Sequence, residues 1–140
     1  MMRLHHSAHQ VAEGTKDLIS ELFTSKLGFQ VVFENDLTVL LRQNDLPVDI
    51  QFIGKSPGPS VPQEIKIGSQ IAFLSPSPME DLESIQLWFR ERGLESQIGQ
   101  YYDDSDWDLW FDVPSVFLDF VIEVIHPQFL EEINYPAHKA

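Results

Sequence analysis

A chain of 140 residues with 43% hydrophobic residues and no cysteine has the length of one compact domain or of two half-size modules; disulfide frameworks, zinc–thiolate sites, iron–sulfur clusters and cysteine nucleophiles are excluded. Twenty-two acidic residues against nine basic ones give a net charge of −13, and protonating all five histidines still leaves −8, a field that repels nucleic-acid phosphate and anionic lipid. The opening MMRLHHSAHQ carries no apolar run of signal length and no later stretch reaches the roughly 20 apolar residues of a membrane span, so a cytoplasmic protein with neither nucleic acid nor membrane as partner is expected.

In chain order, residues 4–11 predict a short strand. Residues 15–27 predict an amphipathic helix: Leu18, Ile19, Leu22 and Phe23 share a face, Thr15 is placed as N-cap, and Gly28 stands just past the end. Strands follow at 29–34, 37–42 and 48–53, separated by the polar turns 35–36 and 43–47. The stretch GKSPGPSVP at 54–62 can continue neither element and opens a linker reaching to residue 66. The same order then returns. A strand at 69–74 leads to a helix that starts at Ser77-Pro78, carries Leu82, Ile85 and Phe89 as its stripe, and stops at Gly93; strands at 94–102, 107–113 and 117–125 complete the half. A tail, 127–140, is expected to hold a short turn or helix around 129–133, with His126 and His138 in solvent.

Asp17-Leu18-x-Ser20 recurs 64 residues later as Asp81-Leu82-x-Ser84, and Gly28 recurs as Gly93, which points to an internal duplication. The fold class is therefore α+β: two βαβββ modules, 3–54 and 67–126, forming a curled, cup-shaped sheet with helices on the outer face. Alternation assigns the faces. Leu118, Phe120, Ile122 and Val124 turn to a helix, and Val48, Ile50 and Phe52 do so in the first half. Asp49, Gln51 and Glu123 then face the cup, as do Thr38, Leu40 and Arg42 on their strand. His5, Ser7 and His9 fall where apolar residues should meet the first helix, opposite His6, so the three histidines cannot ligate one ion.

Residues 6–11 (HSAHQV), the helix, and FTSKLGFQVVFE at 23–34, with VIEVI at 121–125 and QIAF at 70–73, resemble the vicinal oxygen chelate superfamily of glyoxalases, bleomycin-resistance proteins and extradiol dioxygenases. The resemblance implies one divalent metal (Mn, Fe, Ni or Zn) held by His6, Asp49, Gln70 and Glu123, with Gln51 on the same face, and a homodimer. Gln70 stands where histidine is commoner in that family, Asp49 is shorter than the usual Glu, and VPSV at 113–116 replaces the family's Asp-Pro-Asp-Gly-Asn turn.

Three functions follow as expectations. The first is a small-molecule-binding protein that takes a compact aromatic or cationic ligand against Tyr101, Trp107 and Trp110, with Arg42 and Gln51 as polar contacts. The second is a metal-dependent lyase, isomerase or dioxygenase with Glu123 as the catalytic base. The third is an interaction module with a degenerate site. Residues 101–112 are rich in Asp but lack the Gly and terminal Glu of a calcium loop; a solubilising acidic turn or a ligand-stacking wall is expected there. Trp88 and Phe89 cannot easily both point inward, so one of them is expected at a dimer interface.

Overall fold

The structure, a computed structural model, describes residues 1–55 and 60–136, the side chain of Lys55 excepted. Its elements are β1 (His6–Ala12), α1 (Lys16–Lys26), β2 (Phe29–Glu34), β3 (Thr38–Gln43), β4 (Asp49–Lys55), α2 (Gln63–Lys66), β5 (Gln70–Leu74), α3 (Pro78–Arg90), β6 (Gln97–Gln100), β7 (Asp108–Asp112), β8 (Val121–Ile125) and α4 (Pro127–Glu132). The α+β class and the doubled βαβββ order are as expected. Two four-stranded sheets form, ordered β1-β4-β3-β2 and β5-β8-β7-β6, each with one parallel pair between its first and last strands in sequence. Among the described residues no helix is long and apolar enough to cross a membrane.

The chain divides into two compact units: Met1–Val61 with Ser115–Asp119, and Pro62–Pro114 with Phe120–Ala140. In the first, α1 buries Ile19, Leu22 and Phe23, and the Phe23 ring packs edge-on at 5.0 Å from Phe29 and 4.9 Å from Phe52. The β2–β3 turn is set by Asn35, whose Oδ1 accepts from the backbone of Leu37 and of Thr38 at 3.0 Å, an Asx turn that fixes the hairpin register. In the second unit, α3 buries Leu82, Ile85, Trp88 and Phe89 against Leu109, Phe111, Ile122 and Val124. Both long helices stop because the chain turns left-handed at Gly28 (φ +72°) and Gly93 (φ +76°), a conformation a Cβ resists.

Several expectations need correction. The strand expected at 117–125 is two pieces: Val121–Ile125 is β8, whereas Ser115–Asp119 belongs to the first unit. There Phe117 bridges Val11, Ala12 N donates to Val116 O, Leu118 N donates to Gln10 O, and Gln10 N donates to Asp119 Oδ1 at 2.9 Å. The expected linker contains α2, a single turn unreadable from apolar periodicity because it is anchored by Lys66. Residues 56–59 of that linker, and His138, lie outside the described residues. Trp88 and Phe89 are both buried, 7% and 0% exposed, because the Arg92 guanidinium lies 3.6 Å over the Trp88 ring; the pair gives the homodimer no support. His126 is not a solvent residue. Its ring stacks on Trp107 and caps α4, accepting from Gln128 N at 3.0 Å. His9 resolves the register mismatch of the first strand by packing near Phe52, half-buried, where desolvation lowers its pKa against the raising influence of Asp119.

Candidate functional site

In the first unit, strand pairing lines up Gln30 with Arg42 and Asp49 with His6. Arg42 closes the row. Its Nε and Nη2 donate to Asp49 Oδ1 at 2.7 Å and Oδ2 at 3.0 Å, a bidentate pair that holds the Asp49 carboxyl below the usual range despite its burial, with His5 and His6 adding to the effect. His6 Nδ1 shares a hydrogen bond with His5 Nδ1 at 2.9 Å, and Gln51 Nε2 donates to Thr38 Oγ1 at 2.9 Å. Arg42 is thus committed to a carboxylate within its own sheet.

In the second unit, the face of the sheet turned away from α3 carries Asp108, Trp110 and Asp112 from β7 and Glu123 from β8. Trp110 is the register partner of Glu123 on one side and of Gly99 on the other. The Trp110 indole lies flat across Gly99: a Cβ built there would meet the ring at 2.1 Å. Only glycine permits this, so Gly99→Ala is expected to lift the indole off β6, costing about 1–3 kcal/mol of stability with a shift in tryptophan emission; unchanged emission in that variant would contradict the packing.

Beside Trp110, Glu123 and Asp108 share one proton. Burial, a hydrogen bond to Asp108 and repulsion from its charge push Glu123 up to about 8, and burial raises Asp108 while the bond from Glu123 holds it back. Asp108 is 6% exposed and its Oδ1 has no hydrogen-bond partner among the described residues. Tyr101 sits at the same face with its hydroxyl donating to Ile67 O at 2.5 Å, and burial followed by the charges of Glu123 and Asp108 pushes it up to about 12, with a hydrogen bond from Gln70 opposing. Gln70 Nε2 donates to Ile67 O at 3.0 Å. Trp107 is engaged with His126 at 5.1 Å.

Next to the Glu123 carboxyl lies a concavity of about 340 Å³, lined by Ala72, Phe73, Leu74, Glu123, Ile125, Leu130 and Tyr135. A slightly larger one, about 370 Å³, lies beyond α3 between Gln86, Arg90 and Ser96. Glu123 decides between them, since a half-buried carboxyl held protonated marks a place where charge is meant to change. The acids of the stretch 101–112 divide: Asp103, Asp104 and Asp106 of the turn are exposed, as a solubilising turn requires, whereas those of β7 are buried. Asp112 is wholly buried, its Oδ1 2.8 Å from Lys66 Nζ and its Oδ2 accepting from Gln63 at 2.9 Å.

No family model and no curated protein matches the chain. Solved structures do. A possible glyoxalase from Bacillus cereus aligns over 89% of this chain and 99% of its own at 17% identity and a TM-score of 0.56. The trypanothione-dependent glyoxalase I of Leishmania major aligns over 96% and 93% at 14% identity and 0.56. A member of the glyoxalase/bleomycin resistance protein/dioxygenase superfamily from Sphaerobacter thermophilus aligns over 90% and 98% at 16% identity and 0.52. The fold is the vicinal oxygen chelate fold. At these identities the likeness carries the βαβββ architecture, and chemistry has to be read from the side chains.

The metal that a vicinal oxygen chelate enzyme would carry does not fit the donors as they stand. Both Asp49 oxygens are held by Arg42, Glu123 is bonded to Asp108, His6 Nδ1 is engaged by His5, and the Gln70 amide is turned to Ile67 and Tyr101. Among the described residues no three His, Asp or Glu side chains converge as a metal site. Sequence reading turned Glu123 away from the helix and named Trp110 and Tyr101 as ligand contacts, and missed Asp108 as the partner of Glu123. Its signal was present: an Asp two residues before Trp110 on the same strand face. Only the β7–β8 register makes it a neighbour. Leu130 and Tyr135 had no signal, being ordinary apolar residues of a tail.

Proposed function

We propose that the protein binds a compact aromatic or cationic small molecule on the Glu123 face of the second unit. The observation that supports this most is the proton-sharing Glu123–Asp108 pair beside the flat Trp110 indole and an apolar concavity of about 340 Å³. An ammonium or amidinium group can take the place of the shared proton, one positive charge donating hydrogen bonds to both carboxylates, while its apolar part covers Ala72, Leu74 and Ile125. The lyase, isomerase or dioxygenase reading needs both carboxylates free as metal donors, and Asp49 is held by Arg42 and Glu123 by Asp108.

The test is intrinsic tryptophan fluorescence titrated with 2-naphthylmethylamine, in parallel with 2-naphthylmethanol, with and without EDTA. A saturable response to the amine that persists in EDTA is expected, with affinity reduced about tenfold, roughly the worth of one charge-assisted hydrogen bond, in Glu123→Gln. A response abolished by EDTA would instead favour the metal-dependent enzyme, and no saturable response to either compound would sink the binding reading.

A further inference from the structure

We propose that the C-terminal segment carrying α4 is a gate over the Glu123 concavity, opening independently of the strands beneath it; this rests on the binding reading of that site. The concavity has two kinds of wall. Ala72, Leu74, Glu123 and Ile125 come from β5 and β8, paired in register within the sheet, whereas Leu130 and Tyr135 come from α4 and the turn after it. The two gate residues are brought to one side by a tight closing turn, in which Tyr135 N donates to Leu130 O at 2.8 Å across a left-handed Asn134 (φ 58°).

The two walls differ in what holds them. Helix α4 is six residues long and none of them is buried, and Ile133 and Tyr135 after it are about half exposed, at 52% and 53%. A helix that short has no stability of its own in water, because nucleation is never repaid by propagation. It stays folded through its contacts. Two of these are aromatic and reach the β6–β7 turn: His126 stacked on Trp107 at 5.1 Å and Phe129 against Tyr102 at 5.2 Å. His126 N also donates to Trp107 O at 2.7 Å, which ties residue 126 to the end of the central β7–β8 ladder and puts the hinge at Pro127. Releasing the Phe129–Tyr102 contact would therefore loosen the segment that carries Leu130 and Tyr135 while β8 and Glu123 keep their places, a local opening well below the global one.

Hydrogen exchange on the free protein tests the gate without any ligand. Amides in 128–135 are expected to exchange at least about tenfold faster than those of β5 and β8, and faster again in Phe129→Ala, a partly buried position outside the buried core. Carbodiimide labelling of the Glu123 carboxyl is expected to accelerate several-fold in that variant, with exposed Glu83 on α3 as an unchanged internal standard. Exchange in 128–135 as slow as in the strands, or Glu123 labelling indifferent to Phe129→Ala, would overturn the gate. Failure of 2-naphthylmethylamine to bind would reject the binding reading while leaving exchange and labelling to decide the gate separately.

Discussion

Lys66→Met is expected to destabilise the protein by about 3–5 kcal/mol, the cost typical of leaving one partner of a buried ion pair uncompensated. Lys66 and Asp112 are 1% and 0% exposed, and the ammonium lies 2.8 Å from Asp112 Oδ1. Met fills most of the Lys volume but offers no donor, so Asp112 would keep only its bond from Gln63. A buried carboxylate in that position is far from the water that would otherwise solvate it. Urea unfolding measures the loss. The double variant Lys66→Met/Asp112→Leu is expected to recover most of it, since the cost lies in the orphaned charge and not in the missing attraction. A single-variant loss below about 1 kcal/mol, the range of exposed pairs, would mean that the pair is solvated in solution.

The second large effect is a stability that falls as pH rises. Glu123 is raised from an ordinary 4.5 to about 8, so between those values the folded chain keeps a proton that the unfolded chain releases. Its contribution is complete below about 4.5 and lost as pH climbs through about 8. His9 acts in the opposite sense below its ordinary 6.5, where the unfolded chain takes up the extra proton, and Tyr101 enters only above 10. Glu123 therefore dominates between about pH 6.5 and 8.5. Allowing for partial solvent screening of a half-buried pair, a loss of about 1–2 kcal/mol is expected across that window. Glu123→Gln should flatten the profile and exceed the parent in stability at the alkaline end. Denaturant midpoints at several pH values check both points; a parent profile as flat as the variant's would show that Glu123 is ionised throughout.

The fold was legible because both halves state it in the same physical language: an amphipathic helix closed by a glycine, then short alternating strands. Gly28 and Gly93 marked the helix ends without knowledge of packing. The site was half legible. Glu123 interrupts an apolar strand, so alternation alone placed it on the face away from α3. Its partner depended on which residue of β7 lies beside it, and Arg42's commitment to Asp49 on strand pairing that no local pattern encodes. Lys66 is the plainest failure. A lysine in a Pro/Gly-rich connection reads as solvated, and its buried partner Asp112 lies 46 residues away in sequence.

The segment Ser115–Asp119 bears on how this chain comes into being on the ribosome. A nascent polypeptide that has emerged as far as Val61 already owns all four strands of the first sheet. It still lacks the stretch that hydrogen-bonds Gln10 and Ala12 along the free border of β1, and that receives the amide of Val61 on Leu118 O. Until synthesis passes residue 119, that border is open to any passing extended peptide. The first half therefore matures after β7 of the second has been made. Two copies of one ancestral plan would thus have lost the ability to fold in the order in which they are translated, and cutting the chain at the linker would not restore two self-sufficient halves.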